Sequence, residues 1–281
     1  MSRRWQQVRH QLRRNRPAQF SLFVLFIFVV AALCAGLSPY DPDRMSLGAR
    51  TLPPDAAHWF GTDEYGRDYF TRALYGGQIS LMVGFLAMLF STLIGTVVGT
   101  VSGYFGGWLD NLMMRAVDIL MAIPAFFLLL VVNAYLKPGV DNIILIISLL
   151  TWMNMSRLVR AETLSVKERE YVLYARASGE RPLRIIARHI IPGVLPTIIV
   201  AATLNIASAI LMESTLSFLG LGVQAPAASW GSMLNNAQSY IGEASWLAMF
   251  PGILILLTVF SFNVLGDVFR TAFEPGANRD E

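Results

Sequence analysis

The chain has 281 residues, of which 54% are hydrophobic and 15% are charged, and its formal net charge at pH 7 is +3. Soluble domains carry about 25% charged residues, so this composition excludes a water-soluble globular protein and predicts an integral membrane protein. We expect its surface to contact membrane lipid, and we expect no nucleic-acid partner.

The first predicted element is a transmembrane helix at 18–38, which follows a basic N-terminal segment at 1–17. Its apolar stretch is longer than the apolar core of a signal peptide, which has about 7–15 residues, so we predict that it is not cleaved. Cys34 lies in this stretch without the small preceding residue that a lipoprotein cleavage site needs. We therefore predict an ordinary packing or lipid-facing cysteine.

Five further apolar stretches approach or exceed the roughly 20 residues that cross a bilayer. A more hydrophilic segment at 39–78 separates them from the first helix. The predicted fold class is all-α, a polytopic membrane protein with six transmembrane helices. The five further helices are predicted at 79–103, 112–136, 140–156, 194–215 and 247–268.

The distribution of Lys and Arg predicts the orientation of these helices. Of the 22 such residues, 17 lie in alternate segments that include 1–17 and 157–189, and five lie in the remaining loops. Cytoplasmic loops carry the excess of positive charge. We therefore place both termini in the cytoplasm, including the tail at 271–281, and the segment 39–78 in the periplasm.

Small residues recur at intervals of four in the second helix, at Gly95, Gly99 and Gly103. Residues with this spacing share one helix face, where small side chains let two helix backbones approach closely. The pattern predicts tight helix packing, and a hinge is the alternative interpretation.

Charged residues inside predicted spans need partners, because a charge at the bilayer centre costs about 2.5–3.5 kcal/mol. Arg115 and Asp118 are three residues apart in the third helix, as are Asp267 and Arg270 at the end of the sixth. Helical neighbours at this spacing can pair, so we predict structural ion pairs.

Glu213 in the fifth helix has no basic residue near it in the sequence. Its place near the end of the helix predicts a solvated carboxylate at the outer membrane interface. The alternative is a polar contact on a translocation path, shared with Asn205 and Ser208, which lie one or two turns earlier on a similar face.

No metal site and no catalytic residue are predicted. A lone cysteine excludes an internal disulfide and a cysteine-based metal site. The histidines His10, His58 and His189 lie far apart and lack metal-ligand spacing. No Ser/Lys, His/Glu or paired-Asp set stands at helix depth, which disfavours an intramembrane enzyme.

The most informative segment is a basic insert at 157–193, between the fourth and fifth helices. Residues 166–178 suit a helix, Gly179 stands where a left-handed residue ends it, and Pro182 suits the first turn of a second short helix that ends by Pro192. This second helix is amphipathic. It either lies on the membrane surface or receives a partner protein, and the residue pattern leaves both interpretations open.

This insert resembles the cytoplasmic loop of ATP-binding-cassette (ABC) importer permeases. That loop reads Glu-Ala-Ala, three residues, Gly and a later Ile-x-Leu-Pro. Here Ala175, Gly179 and Pro192 match the motif. The residues that depart from it are Leu173, Tyr174, His189 and Ile191, the last of which is a mild apolar exchange.

The resemblance covers nearly the whole chain and is to the dipeptide, oligopeptide and nickel permeases, within which it points to the second, C-type subunit. The similar segments are HWFGTDEYGRDYFTRALYGGQISL (58–81), GYFGGWLDNLMMRAVDILMAIP (103–124), ESTLSFLGLGVQAPAASWGSML (213–234) and FNVLGDVFRTAFEP (262–275).

The resemblance implies the type I ABC importer permease fold, with an ABC transmembrane type-1 domain at 79–270. In that family the insert acts as a coupling helix on a separate ATPase. The implied partners are a homologous permease subunit, two ABC ATPase subunits and an external substrate-binding protein, assembled in the bacterial inner membrane. The residues implied for the ATPase-coupling loop are Ala175, Gly179, Glu180, Arg181, Pro182 and Leu183.

The chain has no P-loop, because Lys137 and Lys167 are its only lysines and neither follows glycine. We therefore expect ATP and Mg²⁺ on partner subunits, no cofactor on this chain and no enzymatic activity of its own. The resemblance favours short peptides as cargo, with nickel or a metal chelate as the alternative. An ATP-independent secondary transporter is the alternative mechanism and would show inverted repeats.

Overall fold

The computed structural model describes residues 2–124, 127–128, 131–132, 135 and 139–273. Within these ranges the regular elements are helices, so the predicted all-α class is confirmed for the described part of the chain. The helices are α1 (Ser2–Arg14), α2 (Arg16–Leu33), α3 (Tyr69–Phe105), α4 (Gly107–Ala122), α5 (Val140–Val166), α6 (Glu170–Ala177), α7 (Pro182–Ile185), α8 (Ile191–Phe218), α9 (Trp230–Ala237) and α10 (Trp246–Phe273).

Five helical stretches are long and apolar enough to cross a membrane. They are α2, α3, α5, the continuous run Pro182–Phe218 and α10. The predicted third span, 112–136, lies partly outside the described residues. Its first part belongs to α4, which ends at Ala122.

Two helices extend ten residues beyond their predicted spans, through polar residues that the apolar pattern leaves out. The second helix begins at Tyr69 instead of 79, and the fourth continues to Val166 instead of 156. The arginines in these extensions have carboxylate partners. Arg72 donates to Asp43 at 3.1 Å, for example, so the helix continues past its apolar stretch without leaving a charge unpaired.

The glycines of α3 confirm the predicted tight packing. A Cβ atom at Gly95 would lie 2.6 Å from Cβ of Met155, and one at Gly99 would lie 2.5 Å from the backbone oxygen of Ser156. Both neighbours belong to α5. Only glycine allows the backbones of α3 and α5 to approach this closely.

A charged contact joins the corner between α3 and α4 to α5. Arg160 of α5 donates to both carboxylate oxygens of Asp110 at 2.6 Å, and Ser102 of α3 donates to the same carboxylate. The Arg160 hydrogen bonds, followed by the Ser102 hydrogen bond, hold the pKa of Asp110 below its usual value. The contact fixes α4 beside the α3–α5 pair.

The predicted pairing of Arg115 with Asp118 is wrong for Asp118, which instead forms an ion pair with Arg157 of α5. Spacing within one helix identifies only the neighbours on that helix. Here a side chain of an adjacent helix comes closer to the carboxylate than the residue three positions earlier.

The segment between α2 and α3 folds over the N-terminal end of α3. Asp63 accepts from Nε of Arg67 at 2.6 Å, and both side chains are buried. Phe60 stacks on Phe250 of α10 with ring centroids 3.8 Å apart. Burial, the largest cause, raises the pKa of the neighbouring Glu64 carboxyl above its usual value.

Candidate functional site

The insert between α5 and α8 forms the helix–turn–helix that the sequence predicts, and we call residues 170–190 the elbow. Helix α6 ends in a turn where Gly179 has φ +76°. The amide of Glu180 donates to the carbonyl of Ala175, and the amide of Gly179 donates to that of Arg176, both at 3.1 Å. Pro182 then begins α7, where its missing N–H is not needed.

The second arm of the elbow was predicted to end by Pro192, but in the structure it continues beyond that residue. A π-helical turn at Ile186–Ile190 links α7 directly to α8, so the run from Pro182 to Phe218 is continuous. Pro192 is the second residue of α8 and follows this π-helical turn, so the change in hydrogen-bond pattern comes just before a residue that lacks an N–H. The arm is therefore the first part of a spanning helix.

Buried apolar side chains join the elbow to the long helices on either side of it. Each fully buried side chain of this kind contributes about 1.5–3 kcal/mol to stability. The resulting cluster holds the elbow, α5 and the start of α8 together as one packed unit. Its members are Tyr104, Met155, Val159, Val166, Val172, Ala175, Ile185, Ile186, Ile190, Val194 and Ile198.

The opposite face of the elbow carries large side chains that remain exposed. Tyr174 is 77% exposed and Leu183 is 73% exposed, and Tyr171 and Leu173 are nearly half exposed. This exposure leaves the outer face free to contact either lipid or a partner protein. Leu173 and Tyr174 are two of the positions where the sequence departs from the motif of ABC importer permeases.

The predicted coupling residues divide between the two faces. Gly179, Arg181, Pro182 and Leu183 are exposed around the turn, as a contact surface requires. Glu180 is half-buried, and its carboxylate lies 3.1 Å from Nε2 of His189. Ala175 is buried, because it shares the inner face of α6 with Val172. It therefore packs in the apolar cluster and does not contribute to the exposed turn.

A cavity of about 530 Å³ lies beside the elbow, between α5, α8 and the end of α10. Its polar lining includes Asn154 and Glu162 of α5 and Asn205 of α8. Asn205, one of the residues of the path interpretation, therefore lies in the lining of a cavity. Ser208 is exposed on α8 outside this lining, and its hydroxyl donates to the carbonyl of Leu204 at 3.3 Å.

The prediction that Glu213 is a solvated interfacial carboxylate is wrong. Its side chain is fully buried and accepts hydrogen bonds from Ser80 of α3 at 3.0 Å and from Ser217 at 2.7 Å. It does not line the cavity beside the elbow either. Sequence reasoning missed this environment because Ser80 is 133 residues away from Glu213 along the chain.

No group of three or more His, Cys, Asp or Glu side chains among the described residues is arranged to hold a metal ion.

Comparison with known families places the chain in a family of membrane transport components. Residues 91–279 match the family described as binding-protein-dependent transport system inner membrane component. The chain belongs to this family. Residues 3–54 also match the N-terminal transmembrane domain of oligopeptide transport permease C, so this inner membrane transport component carries the N-terminal extension of that permease type. Family membership and the five apolar helices make it a multi-pass membrane protein.

Curated relatives resemble the chain over almost its full length. It is 43% identical over 271 residues to the dipeptide transport system permease protein DppC of Bacillus subtilis, a match covering 96% of this chain and 85% of that protein. It is 38% identical to the oligopeptide transport system permease protein OppC of the same organism, covering 96% and 89%. It is 41% identical to the glutathione transport system permease protein GsiD of Shigella flexneri, covering 96% and 90%.

A solved structure shares the fold. The chain matches the inward-facing MetNI methionine ABC transporter with a TM-score of 0.61 and 20% sequence identity, over 72% of this chain and 96% of that one. The similarity establishes the type I permease architecture for the matched region.

Proposed function

We propose that this protein is the C-type permease subunit of an ATP-driven ABC importer that carries short peptides across the bacterial inner membrane. The relatives support peptide cargo, because their names specify dipeptides, oligopeptides and glutathione. None of these three names specifies nickel, the alternative cargo. We retain six spans with both termini in the cytoplasm, following the charge distribution.

The observation that carries this proposal is the two-sided construction of the elbow. Its outer face exposes Tyr174 and Leu183, while its inner face packs into α5 and α8. A protein that docks on the outer face would move both long helices, because the packed cluster leaves little room for the elbow to shift alone. This is the mechanical requirement for work done by a separate ATPase.

The partners follow from what one chain lacks. ATP and Mg²⁺ bind on two ABC ATPase subunits, one of which docks on the exposed turn at Gly179 to Leu183. A homologous permease supplies the other half of the pathway, and an external substrate-binding protein delivers the peptide. This chain supplies the coupling surface and half of the path.

The path on this chain begins at the cavity beside the elbow. Asn154 and Asn205 offer amide donors and acceptors that match a peptide backbone. The lining also carries one carboxylate, Glu162, and two arginines, Arg169 and Arg270. Ser208 continues the polar face of α8, three residues beyond Asn205. Glu213 has no place on this path because it is fully buried.

Reconstitution tests the proposal. The chain, tagged and purified from native membranes in mild detergent, is expected to bring with it a sister permease and ABC ATPase subunits. With the binding protein added, proteoliposomes of this complex are expected to accumulate a radiolabelled dipeptide when ATP and Mg²⁺ are present on the ATPase side. Equal uptake with a non-hydrolysable ATP analogue would contradict the proposal and favour a secondary transporter.

A further inference from the structure

We propose that Glu213 is a positioning residue that fixes the loop following α8 and thereby sets the affinity of the transporter for its cargo-delivering protein. We call residues 219–229 the outer loop. The inference rests on the proposed function, because that function places this loop on the side where cargo arrives.

Glu213 is at the centre of two parallel hydrogen-bond relays. In the first, Ser80 donates to Oε2 of Glu213 and accepts from the backbone N–H of Trp230 at 3.2 Å. In the second, Ser217 donates to Oε1 and accepts from the backbone N–H of Val223 at 3.0 Å. One carboxylate therefore determines the position of the middle of the outer loop and of the first residue of α9.

The chemistry requires an acceptor at this position. A backbone N–H can only donate, so each serine accepts from its amide through a lone pair and has its own proton left to give to a carboxyl oxygen of Glu213. The lone pairs of the two hydroxyl oxygens then face the amides of Trp230 and Val223. Hydrogen bonds in such chains polarise one another, so each hydrogen bond of a relay is stronger when the other one is also formed.

Close packing around the relays holds the outer loop in one position. The Trp230 ring lies against Gly77, where an added Cβ would be 3.0 Å from the ring, and its Nε1 donates to the carbonyl of Ala73 at 3.0 Å. An added Cβ at Gly231 would meet the backbone oxygen of Ser214 at 2.5 Å. The contacts hold the loop and α9 onto α3 and α8.

The outer loop, held in this position, forms one wall of an open cavity of about 450 Å³. Gln224 and Asn235 come from the outer loop and α9, and Arg67 and Arg72 come from the segment before and within α3. Ser217 and Val223, the members of the second relay, also line it. A loop released from Glu213 would displace this wall, which lies on the cargo side in the proposed orientation.

Hydrogen exchange on the assembled complex in lipid nanodiscs tests the relays directly. Ser217→Ala is expected to speed exchange about tenfold in peptides containing Val223 and to leave those containing Trp230 unchanged, because an unmade buried hydrogen bond is costly. Ser80→Ala is expected to do the reverse. Thr215→Ala is the matched control, since the Thr215 hydroxyl is exposed and bonds within its own helix, to Leu211.

Glu213→Gln preserves shape and should release one relay, because an amide nitrogen can only donate and must turn one serine around. Unchanged exchange at both amides in Glu213→Gln and in both serine variants would overturn the relay.

The dependence of ATPase stimulation on binding-protein concentration tests the predicted effect on affinity. In the serine variants and Glu213→Gln, the concentration of loaded binding protein for half-maximal ATPase stimulation is expected to rise about fivefold, with maximal ATPase rate within about twofold of the unmodified complex. A fall in maximal rate without a change in half-maximal concentration would overturn the positioning role. Failure of the unmodified complex to respond to the binding protein would instead contradict the proposed function, and exchange data would still judge the relays.

Discussion

At the scale of single residues, the turn of the elbow depends on Gly179. Its φ of +76° lies in the left-handed region, which L side chains rarely adopt. A Cβ atom added there would meet nothing within 4 Å, so a substitution would act through backbone strain alone. The turn is therefore open to a test in which no contact is lost.

Gly179→Val is expected to uncouple ATP hydrolysis from peptide uptake while the protein still inserts. A β-branched residue at this φ costs about 1–3 kcal/mol, which the turn can relieve only by changing the surface it presents to the ATPase. The number of ATP molecules hydrolysed per peptide imported should rise several-fold.

Gly179→Asn is the matched control, because asparagine tolerates the left-handed conformation. It should keep the normal ratio of ATP hydrolysed to peptide imported. Normal coupling in the valine variant would show that this turn does not transmit the work.

The turn of the elbow could be predicted from the residues that form it, whereas the environment of Glu213 could not be predicted from the sequence. Gly179 and Pro182 specify the turn through their own backbone preferences, which act within a few residues. The burial of Glu213 depends on Ser80 from another helix, and no pattern along α8 encodes that contact. The burial of Ala175 likewise became evident only once α6 was packed against α5 and α8.

At the scale of helices, the length of the apolar stretches located five of the predicted helices but not their ends. Helix α5 continues ten residues past the predicted end because Arg157 and Arg160 pair with Asp118 and Asp110 of α4. The glycine interval in α3 correctly predicted tight packing, because the small residues must share one face. Its partner, α5, could not be read from the interval itself.

Gly99→Val is expected to destabilise the purified complex, because the new side chain would meet the backbone of α5. Overpacking of this kind costs about 1–3 kcal/mol. The midpoint of thermal unfolding, followed by size-exclusion chromatography after heating, should fall by several degrees. Gly252→Val in α10 is the control, since a Cβ there would meet nothing within 4 Å; equal midpoints for the two variants would contradict the packing account.

At the scale of the whole molecule, the same long helices connect the two functional regions. Helices α5 and α8 pack against the elbow at one end and line the cavity with Asn154 and Asn205 further along. Helix α8 then continues to Glu213 and the outer loop. A displacement of the elbow is thus directed along elements that reach both this cavity and the outer loop.

Photocrosslinking in native membranes tests the central claim, that the elbow receives a separate ATPase. A photoreactive amino acid placed at Leu183, which is 73% exposed, is expected to give an adduct with an ABC ATPase subunit. The same group at Leu256 of α10, which is 63% exposed on an apolar helix, should give no such adduct. Adducts of the Leu183 probe with lipid or periplasmic proteins, and none with an ATPase, would contradict the account.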